Sequence, residues 1–472
     1  MGRDRSVRAP ECPMNRLLVL GYAFPPCNVS GTHRTLAFVK YLAREGWHCT
    51  VVCARNPVDP ERDRSLLSQV PAGTEVVRTI DLNLPALRER LRRRPSAEWR
   101  DAGVSTGGSI GSLTGVGMRY LKRYVAVRLR VPDHYLGWYP HTLLAGWRIL
   151  KSRRFDAVYS TAPPFTGHMV ARRLARAFSV PWIADFRDPW VSNPFADIPF
   201  DRLRAWNARA EAETVRDAGA IVCVVETMRE DFLHRYPERH AEDIVTIPNG
   251  FDPEAFEDLW AGSHGIGPPA ERNGTLTILH TGHVYGPRRI EPLLAALTEW
   301  RRIDPELTES VRVRLVGGSS EYVESLRATI QRYQLHACVA AEPEVSHREA
   351  LRRQSRASVL MLVGFSGPHA QYQMSGKIFE YLAIGRPILA LAPPSCPVGD
   401  VLRGAGAHHW IVSPNDELGL LSALRAIGGE WQSGRLSGLR SSARIDAYDR
   451  RAQTRRLAEI LDRLIARRPP DR

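Results

Sequence analysis

Short apolar runs alternate along the first half of the chain with longer segments whose apolar residues recur every three or four positions. The short runs favour β-strands and cover residues 16–22, 48–54, 155–160, 181–186 and 219–225. The longer segments are typical of amphipathic helices and cover residues 31–44, 165–178 and 201–217. Strands and helices that alternate in this way predict parallel sheets built from βαβ units.

The same alternation starts again in the second half, with strand-like runs at residues 276–281, 311–316, 357–362 and 387–391. The predicted fold class is therefore α/β, with two Rossmann-like domains whose parallel sheets face each other across a cleft. Ligands of open parallel sheets bind beyond the carboxyl ends of the strands. The loops at those ends are the candidate site.

Pattern and composition divide the chain into predicted segments. These are a basic unstructured leader (1–13), an N-terminal Rossmann-like domain (14–260) with an irregular basic insertion (86–130), a linker (261–274), a C-terminal Rossmann-like domain (275–435), and a C-terminal helix that crosses back to the N-terminal domain (436–472). No secretory leader is recognisable, and no apolar run reaches the roughly 18 residues of a membrane span. We therefore expect a cytoplasmic protein.

Composition points to an anionic partner. A hydrophobic content of 43% with 25% charged residues is ordinary for a globular protein of 472 residues. The net charge of +14 and the pI of about 9.8 are not, and they indicate nucleic acid, an acidic membrane surface or a phosphorylated substrate. The seven cysteines are scattered, which favours buried thiols over a metal site.

Residues 377–390 carry the strongest local signal. They predict a helix that begins at Lys377, ends at Gly385 and turns through Arg386 and Pro387 into a buried strand. Lys377 and Glu380 lie in the first helical turn, where free N–H groups attract phosphate. Only four of the 65 basic residues are lysine, so a lysine at this position hints that a small ammonium group is needed there. The alternative is a chance lysine beside an ordinary first-turn acid.

The loops of the first half hold further candidates. Ser30 and Gly31 begin a helix after the first strand, without the glycine spacing of a dinucleotide fingerprint, and a plain helix cap explains Ser30 equally well. After another strand, Asp185 and Asp188 bracket Arg187, which indicates either a functional site or an internal ion-pair turn. His168 lies on the helix after the Pro-Pro loop at 163–164 and is a catalytic candidate or a packed helix residue.

In the second half, Gly282 and His283 follow a strand, and Arg288 and Arg289 are predicted to begin the next helix. Two arginines at a helix start strengthen the expectation of a bound anion.

Taken in chain order, these motifs resemble a known family. They are the Pro-Pro/Ser-Gly loop, Ser-x-x-Pro-Pro before a helix with His, Asp-Phe-Arg-Asp-Pro-Trp at 185–190, Ile-Pro-Asn-Gly-Phe-Asp at 247–252, Thr281-Gly282 with Arg288-Arg289, Leu-Val-Gly-Gly at 315–318, and Lys-Ile-Phe-Glu-Tyr at 377–381. This series is similar to the family-four, or group 1, glycosyltransferases of the GT-B fold, and most similar to their bacterial polysaccharide branch. The resemblance runs from Met14 to the C-terminal helix.

The resemblance implies a retaining transfer of a sugar from a nucleoside-diphosphate sugar, without a metal or other cofactor. It implies that Glu380 binds the donor ribose and that Arg288 or Arg289 faces the diphosphate. The full expected sets are catalytic residues His168, Asp185, Arg187 and Asp188; donor-binding residues Gly282, His283, Arg288, Arg289, Gly317, Ser375, Lys377 and Glu380; and an acceptor loop of Ser30, Gly31, Asn249 and Gly250.

Two positions depart from the family pattern. Tyr372 stands where the first glutamate of the family's glutamate pair is expected, and His283 stands where an arginine of the diphosphate pair is expected. We interpret Lys377 as an alternative diphosphate contact.

Several functions compete at this point. The favoured one is a glycosyltransferase of bacterial surface polysaccharide synthesis, peripheral on the inner face of the cytoplasmic membrane, with a glycan or lipid-linked acceptor. Basic segments at 88–94, 118–130 and 148–154 support an anionic membrane surface, and 118–130 reads as a basic amphipathic helix or a solvated surface helix. The alternatives are a soluble small-molecule acceptor, a silent sugar-nucleotide-binding protein, and a nucleic-acid reader, for which no recognition motif is found.

Overall fold

A computed structural model describes residues 14–57, 63–82, 123–125, 127–128, 131–193, 198–257, 274–284, 288–372, 374–436 and 444–467. The chain forms two units. The first unit holds residues 1–224, 229–247 and 454–472, and the second holds residues 225–228 and 248–453. Within the described ranges, no helix combines the length and the apolar character that crossing a membrane requires.

The first unit is built on a parallel sheet, of which the described residues form seven strands in the order β3-β2-β1-β4-β5-β6-β7. The strands are β1 (Asn15–Leu20), β2 (Trp47–Ala54), β3 (Glu75–Thr79), β4 (Ala157–Ala162), β5 (Trp182–Phe186), β6 (Ala220–Cys223) and β7 (Ile244–Thr246). The helices are α1 (Ser30–Leu42), α2 (Tyr139–Ser152), α3 (Thr166–Phe178), α4 (Asp201–Asp217) and α5 (Glu226–Arg235), with short 3₁₀ helices at Ala43–Glu45, Arg64–Gln69, Leu136–Trp138 and Ala241–Asp243.

The order of the strands reverses between β1 and β4, which pair in parallel with Leu17 opposite Ala157. One face of this sheet packs on α1 and on the C-terminal helix, whose Leu457 and Leu461 are buried in the same cluster as Leu17 and Leu36. Helices α2 and α3 also contact the sheet, α2 at β2 and β3 and α3 at β4 and β5, and α4 packs on α3. The carboxyl ends of β1 and β4 form the topological switch point at which such sheets bind ligands.

The second unit repeats the plan, with six described strands in the order β10-β9-β8-β11-β12-β13. The strands are β8 (Leu276–Thr281), β9 (Val311–Val316), β10 (Val339–Glu342), β11 (Val359–Val363), β12 (Ile388–Leu391) and β13 (His409–Val412). The helices are α6 (Glu291–Ile303), α7 (Pro305–Glu309), α8 (Ser320–Arg332), α9 (His347–Arg356), α10 (Lys377–Ile384), α11 (Pro397–Ala405) and α12 (Glu417–Gln432), with 3₁₀ helices at Pro253–Phe256, Gly367–Tyr372 and Asp446–Tyr448. Its switch point lies between β8 and β11.

The division between the units falls earlier than the predicted boundary at residue 260. Phe251 and Phe256 are buried in a core cluster of the second unit together with Phe379. The backbone N–H of Phe251 also donates to the carbonyl of Tyr448, at 3.0 Å. Burial of two large aromatic side chains therefore attaches the segment after Pro248 to the second unit. The last helix, α13 (Arg450–Ala466), contributes its residues from Thr454 onward to the first unit.

Candidate active site

Two glycines, Gly282 and Gly317, lie just after the carboxyl ends of β8 and β9 in the second unit. Gly282 has φ 123° and Gly317, after β9, has φ 142°, in the region that favours glycine. The two chain segments approach closely there, since a Cβ atom on Gly317 would lie 2.6 Å from the carbonyl carbon of Gly282. The Gly282 N–H donates to the carbonyl of Val316 at 2.6 Å. Gly282 and Gly317 thus form a backbone floor, the glycine floor, to which neither residue contributes a side chain of its own.

Lys377 covers this floor. A Cβ on Gly282 would lie 2.0 Å from Lys377 Cε and 2.7 Å from its Nζ, so the ammonium group lies directly against the Gly282 backbone. Helix α10 is anchored by its buried apolar face, and the Tyr381 hydroxyl lies 3.2 Å from the backbone N of Thr281, the last residue of β8. The predicted helix start at Lys377 and its end at Gly385, which has φ 77°, are both confirmed.

Arg288 brings a second positive charge to the same place. Its guanidinium stacks over Phe365 with 4.3 Å to the ring centroid, just past the end of β11, and its Nη1 donates to the His283 carbonyl at 3.4 Å. The ring of His283 packs on Tyr322, with ring centroids 4.2 Å apart. The prediction that Arg288 and Arg289 begin a helix is wrong, because α6 begins at Glu291.

The buried residue His280 lies near both cations, Lys377 and Arg288. His280 of β8 is 3% exposed, its Nδ1 lies 2.9 Å from the Met361 carbonyl, and its Nε2 has no hydrogen-bond partner among the described residues. Burial lowers the pKa of His280 to about 4, and the charges of Lys377 and Arg288 lower it further against its hydrogen bonds. Within the described residues no carboxylate lies at ion-pair distance from Lys377, so the site carries an excess of positive charge.

Glu380 lies one turn beyond Lys377, and His347 holds it. Glu380 Oε1 and His347 Nε2 are 2.9 Å apart. Burial acts to lower the pKa of His347, but the hydrogen bond and the charge of Glu380 outweigh it, so the pKa is raised. Sequence reasoning missed His347. The one signal was the Ser346-x-x-Glu349 helix cap, in which Ser346 Oγ accepts from the Glu349 N–H at 3.3 Å.

Other predicted donor residues lie around the same strand ends. The Ser375 carbonyl accepts from the Ile378 N–H at 3.2 Å in the turn that leads into α10. Arg289 is exposed, with its Nε 3.7 Å from Glu291. Tyr372, at the position of the missing glutamate, ends the 3₁₀ helix Gly367–Tyr372 and is half-buried.

Asp185 in the first unit is an interior residue, and a catalytic role for it stays a prediction. It is 0% exposed and pairs with Arg34, whose Nη2 lies 2.7 Å from its Oδ1. The Tyr159 hydroxyl also donates to Asp185, at 2.7 Å. Burial acts to raise the pKa of Asp185, but Arg34 and the hydrogen bonds outweigh it and lower the pKa. The ion pair of Asp185 is formed with Arg34 of α1, 151 residues away in sequence.

His168 is likewise enclosed. It is 0% exposed, and its Nδ1 lies 2.7 Å from Ser160 Oγ, which accepts from the Trp182 indole at 2.8 Å. Burial lowers the pKa of His168 to about 3, so the ring is neutral at physiological pH. His168 is thus packed inside the first unit, and its catalytic role stays a prediction.

Arg187 and Asp188 remain at the surface of the first unit, each half-buried at the carboxyl end of β5. Arg187 donates to the Pro163 carbonyl and lies against Gly31, where a Cβ would be 2.0 Å from its Nη1. Burial raises the pKa of Asp188, and the Arg187 charge opposes that rise. No described residue hydrogen-bonds the Asp188 carboxylate. The predicted residues Ser30 and Gly31 thus share the switch point with Arg187 and Asp188.

Asn249 and Gly250 lie elsewhere. Both belong to the second unit, where the Asn249 carbonyl accepts from Gln453 Nε2 at 3.2 Å and the Gly250 carbonyl accepts from Arg450 Nε at 3.1 Å. A Cβ on Gly250 would lie 2.2 Å from the Tyr448 carbonyl oxygen. Gly250 is therefore needed for close packing of two chain segments, and the acceptor-loop role of the pair stays a prediction.

Comparison with known proteins addresses the family. Residues 113–255 match the family model Glycosyltransferase Family 4. The matched stretch lies mostly in the first half of the chain. A search of curated proteins gave no sequence match.

Solved structures address the fold. The enzyme is similar to sucrose-phosphate synthase from Thermosynechococcus elongatus, with a TM-score of 0.61 and 14% identity over 96% of this chain and 99% of that chain. It is similar to a glycosyltransferase from Rickettsia africae, with a TM-score of 0.62 and 12% identity over 96% and 99%. It is also similar to Anabaena HepE in complex with UDP-glucose, with a TM-score of 0.58 and 13% identity over 95% and 99%. The predicted pair of Rossmann-like domains and the GT-B fold are confirmed.

Proposed function

We propose that this glycosyltransferase takes its sugar from a nucleoside-diphosphate sugar bound at the switch point of the second unit. The observation that carries the proposal is the pair of cations, Lys377 and Arg288, beside the glycine floor at the end of β8. A diphosphate supplies the counter-charge that no described carboxylate gives Lys377. Anabaena HepE is solved with UDP and with UDP-glucose, which makes a uridine diphosphate sugar the first donor to test.

Charge develops on the diphosphate as the sugar leaves, so stabilisation of that charge lowers the barrier. Lys377 rests on the Gly282 backbone and Arg288 on the Phe365 ring, and both are therefore held in place before the reaction. Preorganised charges of this kind serve without a metal ion, and we propose metal-independent transfer. Glu380 accepts hydrogen bonds from the ribose hydroxyls while His347 holds one of its oxygens.

On the acceptor side, we propose that the Asp188 carboxylate accepts a hydrogen bond from the attacking hydroxyl group. Its carboxylate is half-buried, has a raised pKa, and lies beside Arg187 at the switch point of the first unit. Asp185 and His168 support this site from the interior without touching substrate. Retention of the anomeric configuration, as in the family that the motifs resemble, is part of the proposal.

The proposed acceptor is a glycan or lipid-linked saccharide of bacterial surface polysaccharide synthesis, with the enzyme peripheral on the inner membrane face. A second candidate is a soluble phosphorylated or small-molecule acceptor, because sucrose-phosphate synthase is among the structural neighbours. The net charge of +14 is compatible with an anionic membrane surface in the first case and with a phosphorylated acceptor in the second.

The test is a transfer assay with purified enzyme, a panel of UDP, GDP, TDP and ADP sugars, and two acceptor types, a short-chain lipid-linked saccharide and a sugar phosphate. We expect one donor to be used without added metal and in the presence of a chelator. NMR of the product should show the same anomeric configuration as in the donor. Transfer only to the sugar phosphate would establish the second candidate. Absence of transfer and of donor hydrolysis, with donor binding intact, would identify a silent binding protein.

A further inference from the structure

A groove on the surface of the first unit lies among helices α2, α3 and α4. Its volume is about 760 Å³, within the range of a small-molecule site. Apolar and basic side chains line it together, among them Tyr139, Trp147, Met169, Arg173, Trp206 and Arg209. Nothing in the proposed sugar transfer uses this groove.

The residues that line the groove recur along α3 and α4 at helical intervals. Residues 169, 172, 173 and 176 of α3 recur at intervals that place them on one helical face, and residues 206, 209, 210 and 213 of α4 do the same. On helix α2, Tyr139 and Trp147 line the groove, and Leu144, Arg148 and Lys151 lie within about one turn of Trp147 outside that lining. Each helix mixes apolar and basic residues, and the three helices present them side by side.

The groove has an excess of positive charge. Arg172 is paired with Glu213 and Asp217, and Arg176 lies 3.3 Å from Asp217. Arg173 and Arg209 are exposed, and the described residues offer neither of them an ion pair. These two guanidinium groups are available to an external anion.

The apolar part of this face is unusually exposed. The Trp147 side chain is 42% exposed and Leu144 is 49% exposed, although Trp147 keeps one edge on Phe178, with ring centroids 4.9 Å apart. Trp and Leu side chains beside basic residues are typical of surfaces that insert into the headgroup region of a bilayer. Arg148 and Lys151, both exposed, flank Trp147 on the same helix.

The segment 118–130 was the sequence-based candidate for contact with a membrane. Within residues 118–130 only 123–125 and 127–128 are described, and they are helical. Tyr124 packs on Phe200 at 5.2 Å between ring centroids, and Arg128 stacks 4.5 Å from the Trp206 ring centroid. These two side chains of the segment therefore pack on the protein itself, whereas Trp147 and Leu144 of α2 remain exposed.

We propose that the face formed by α2, α3 and α4 docks on an anionic phospholipid bilayer. Arg173 and Arg209 bind headgroup phosphate, and Trp147 and Leu144 enter the interfacial region. This inference rests on the proposed peripheral location and names the surface responsible for it. It makes the membrane contact a property of the first unit, independent of the donor site.

The experiment is co-sedimentation of the full chain with vesicles of phosphatidylcholine alone or with phosphatidylglycerol at about one-third of the lipid, across a salt series. We expect binding only to the anionic vesicles and a decline with salt, because the charge interactions are screened. Arg173→Gln with Arg209→Gln should reduce the partition coefficient about 30-fold, from roughly fivefold for each charge near an anionic surface. Trp147→Ser with Leu144→Ser should also reduce it, without changing the salt dependence.

A matched control removes the same charge from the opposite face of the sheet. Arg455 and Arg456 are exposed on α13, which packs on the α1 side, and their double change to Gln should leave binding within about twofold. An equal loss in this control would show nonspecific attraction by net charge and overturn the proposal, as would equal binding to neutral vesicles. Release by glycerol phosphate at constant ionic strength would instead assign the groove to a soluble phosphate.

The donor assay keeps this test separate from the proposed function. Both groove variants should retain hydrolysis of the nucleotide sugar in solution, since none of these residues lies in the second unit. Failure to bind vesicles with normal donor turnover would overturn the docking surface alone. Absence of donor turnover with normal vesicle binding would overturn the sugar-transfer proposal alone.

Discussion

Replacement of Asp185 by Asn separates structural from chemical roles in the Asp-Phe-Arg-Asp segment. In the native chain, Asp185 accepts from Arg34 Nη2 at 2.7 Å and from Arg34 Nε at 3.0 Å, and the two side chains are 0% and 4% exposed. The Thr161 hydroxyl donates to it as well, at 2.7 Å. An amide keeps the shape of the carboxylate but removes the negative charge that pairs with buried Arg34.

Loss of one partner of a buried ion pair destabilises a protein by about 3–5 kcal/mol. We expect the Asp185→Asn variant to lose stability of that order in urea unfolding followed by circular dichroism. Asp188→Asn is the matched comparison, since Asp188 is half-buried and none of the described residues hydrogen-bonds it. It should change stability by less than about 1 kcal/mol, as surface substitutions do, yet abolish most sugar transfer.

The sign of the pH dependence gives a second readout. Because the pKa of Asp185 is lowered in the folded chain, its contribution is complete above the unfolded-state value of about 3.9 and is lost as the pH falls through the folded value. The stability difference between wild type and Asp185→Asn should therefore persist from neutral pH down to about 4 and shrink only below it. A stable Asp185→Asn variant without activity would refute the structural role.

Three further predictions concern the second unit. Glu380→Gln should weaken donor binding by about 1.5–3 kcal/mol in calorimetry, as expected for hydrogen bonds to a charged group, and unchanged affinity would remove Glu380 from the ribose site. His347→Gln should abolish a fall in donor affinity with rising pH. Protonated His347, whose pKa is raised, adds positive charge near the diphosphate and loses that charge above its pKa. His408→Gln is the control, since His408 pairs with Glu430 at 3.0 Å in the same unit, and an equal effect there would contradict the reasoning. Lys377→Met should reduce kcat more than it raises KM, because charge grows on the phosphate in the transition state, whereas loss of stability alone would make Lys377 structural.

The central strands were predictable from sequence, and the edges of the sheets were not. Strands β8 and β9 begin and end at the predicted residues, since both are short apolar runs between clear turns. Strand β3 was missed because it lies at a sheet edge, where only Thr79 of its five residues is buried. Strand β13 is half-buried throughout for the same reason. Edge strands lack the continuous apolar pattern that marks a buried strand.

Part of the candidate site was likewise predictable from sequence, and part was not. Lys377 and Glu380 were readable because both lie in one helical turn, three positions apart. Arg34 and Asp185 are 151 residues apart in sequence, and His347 and Glu380 are 33 apart, so neither pairing has a local pattern. Spacing alone also fails to distinguish the buried Asp185 from the half-buried Asp188, because that depends on where β5 ends.

The central claim is that the cations beside the glycine floor of the second unit bind the diphosphate of a nucleotide sugar. The most direct measurement is calorimetric titration of uridine diphosphate and uridine diphosphate sugars into wild type, Lys377→Met, and the matched control Lys151→Met on helix α2. We predict saturable binding without metal, weakened about tenfold or more in Lys377→Met, as for loss of a charge-assisted contact of about 1.5 kcal/mol, and unchanged in Lys151→Met. Equal affinity in all three proteins would contradict the account.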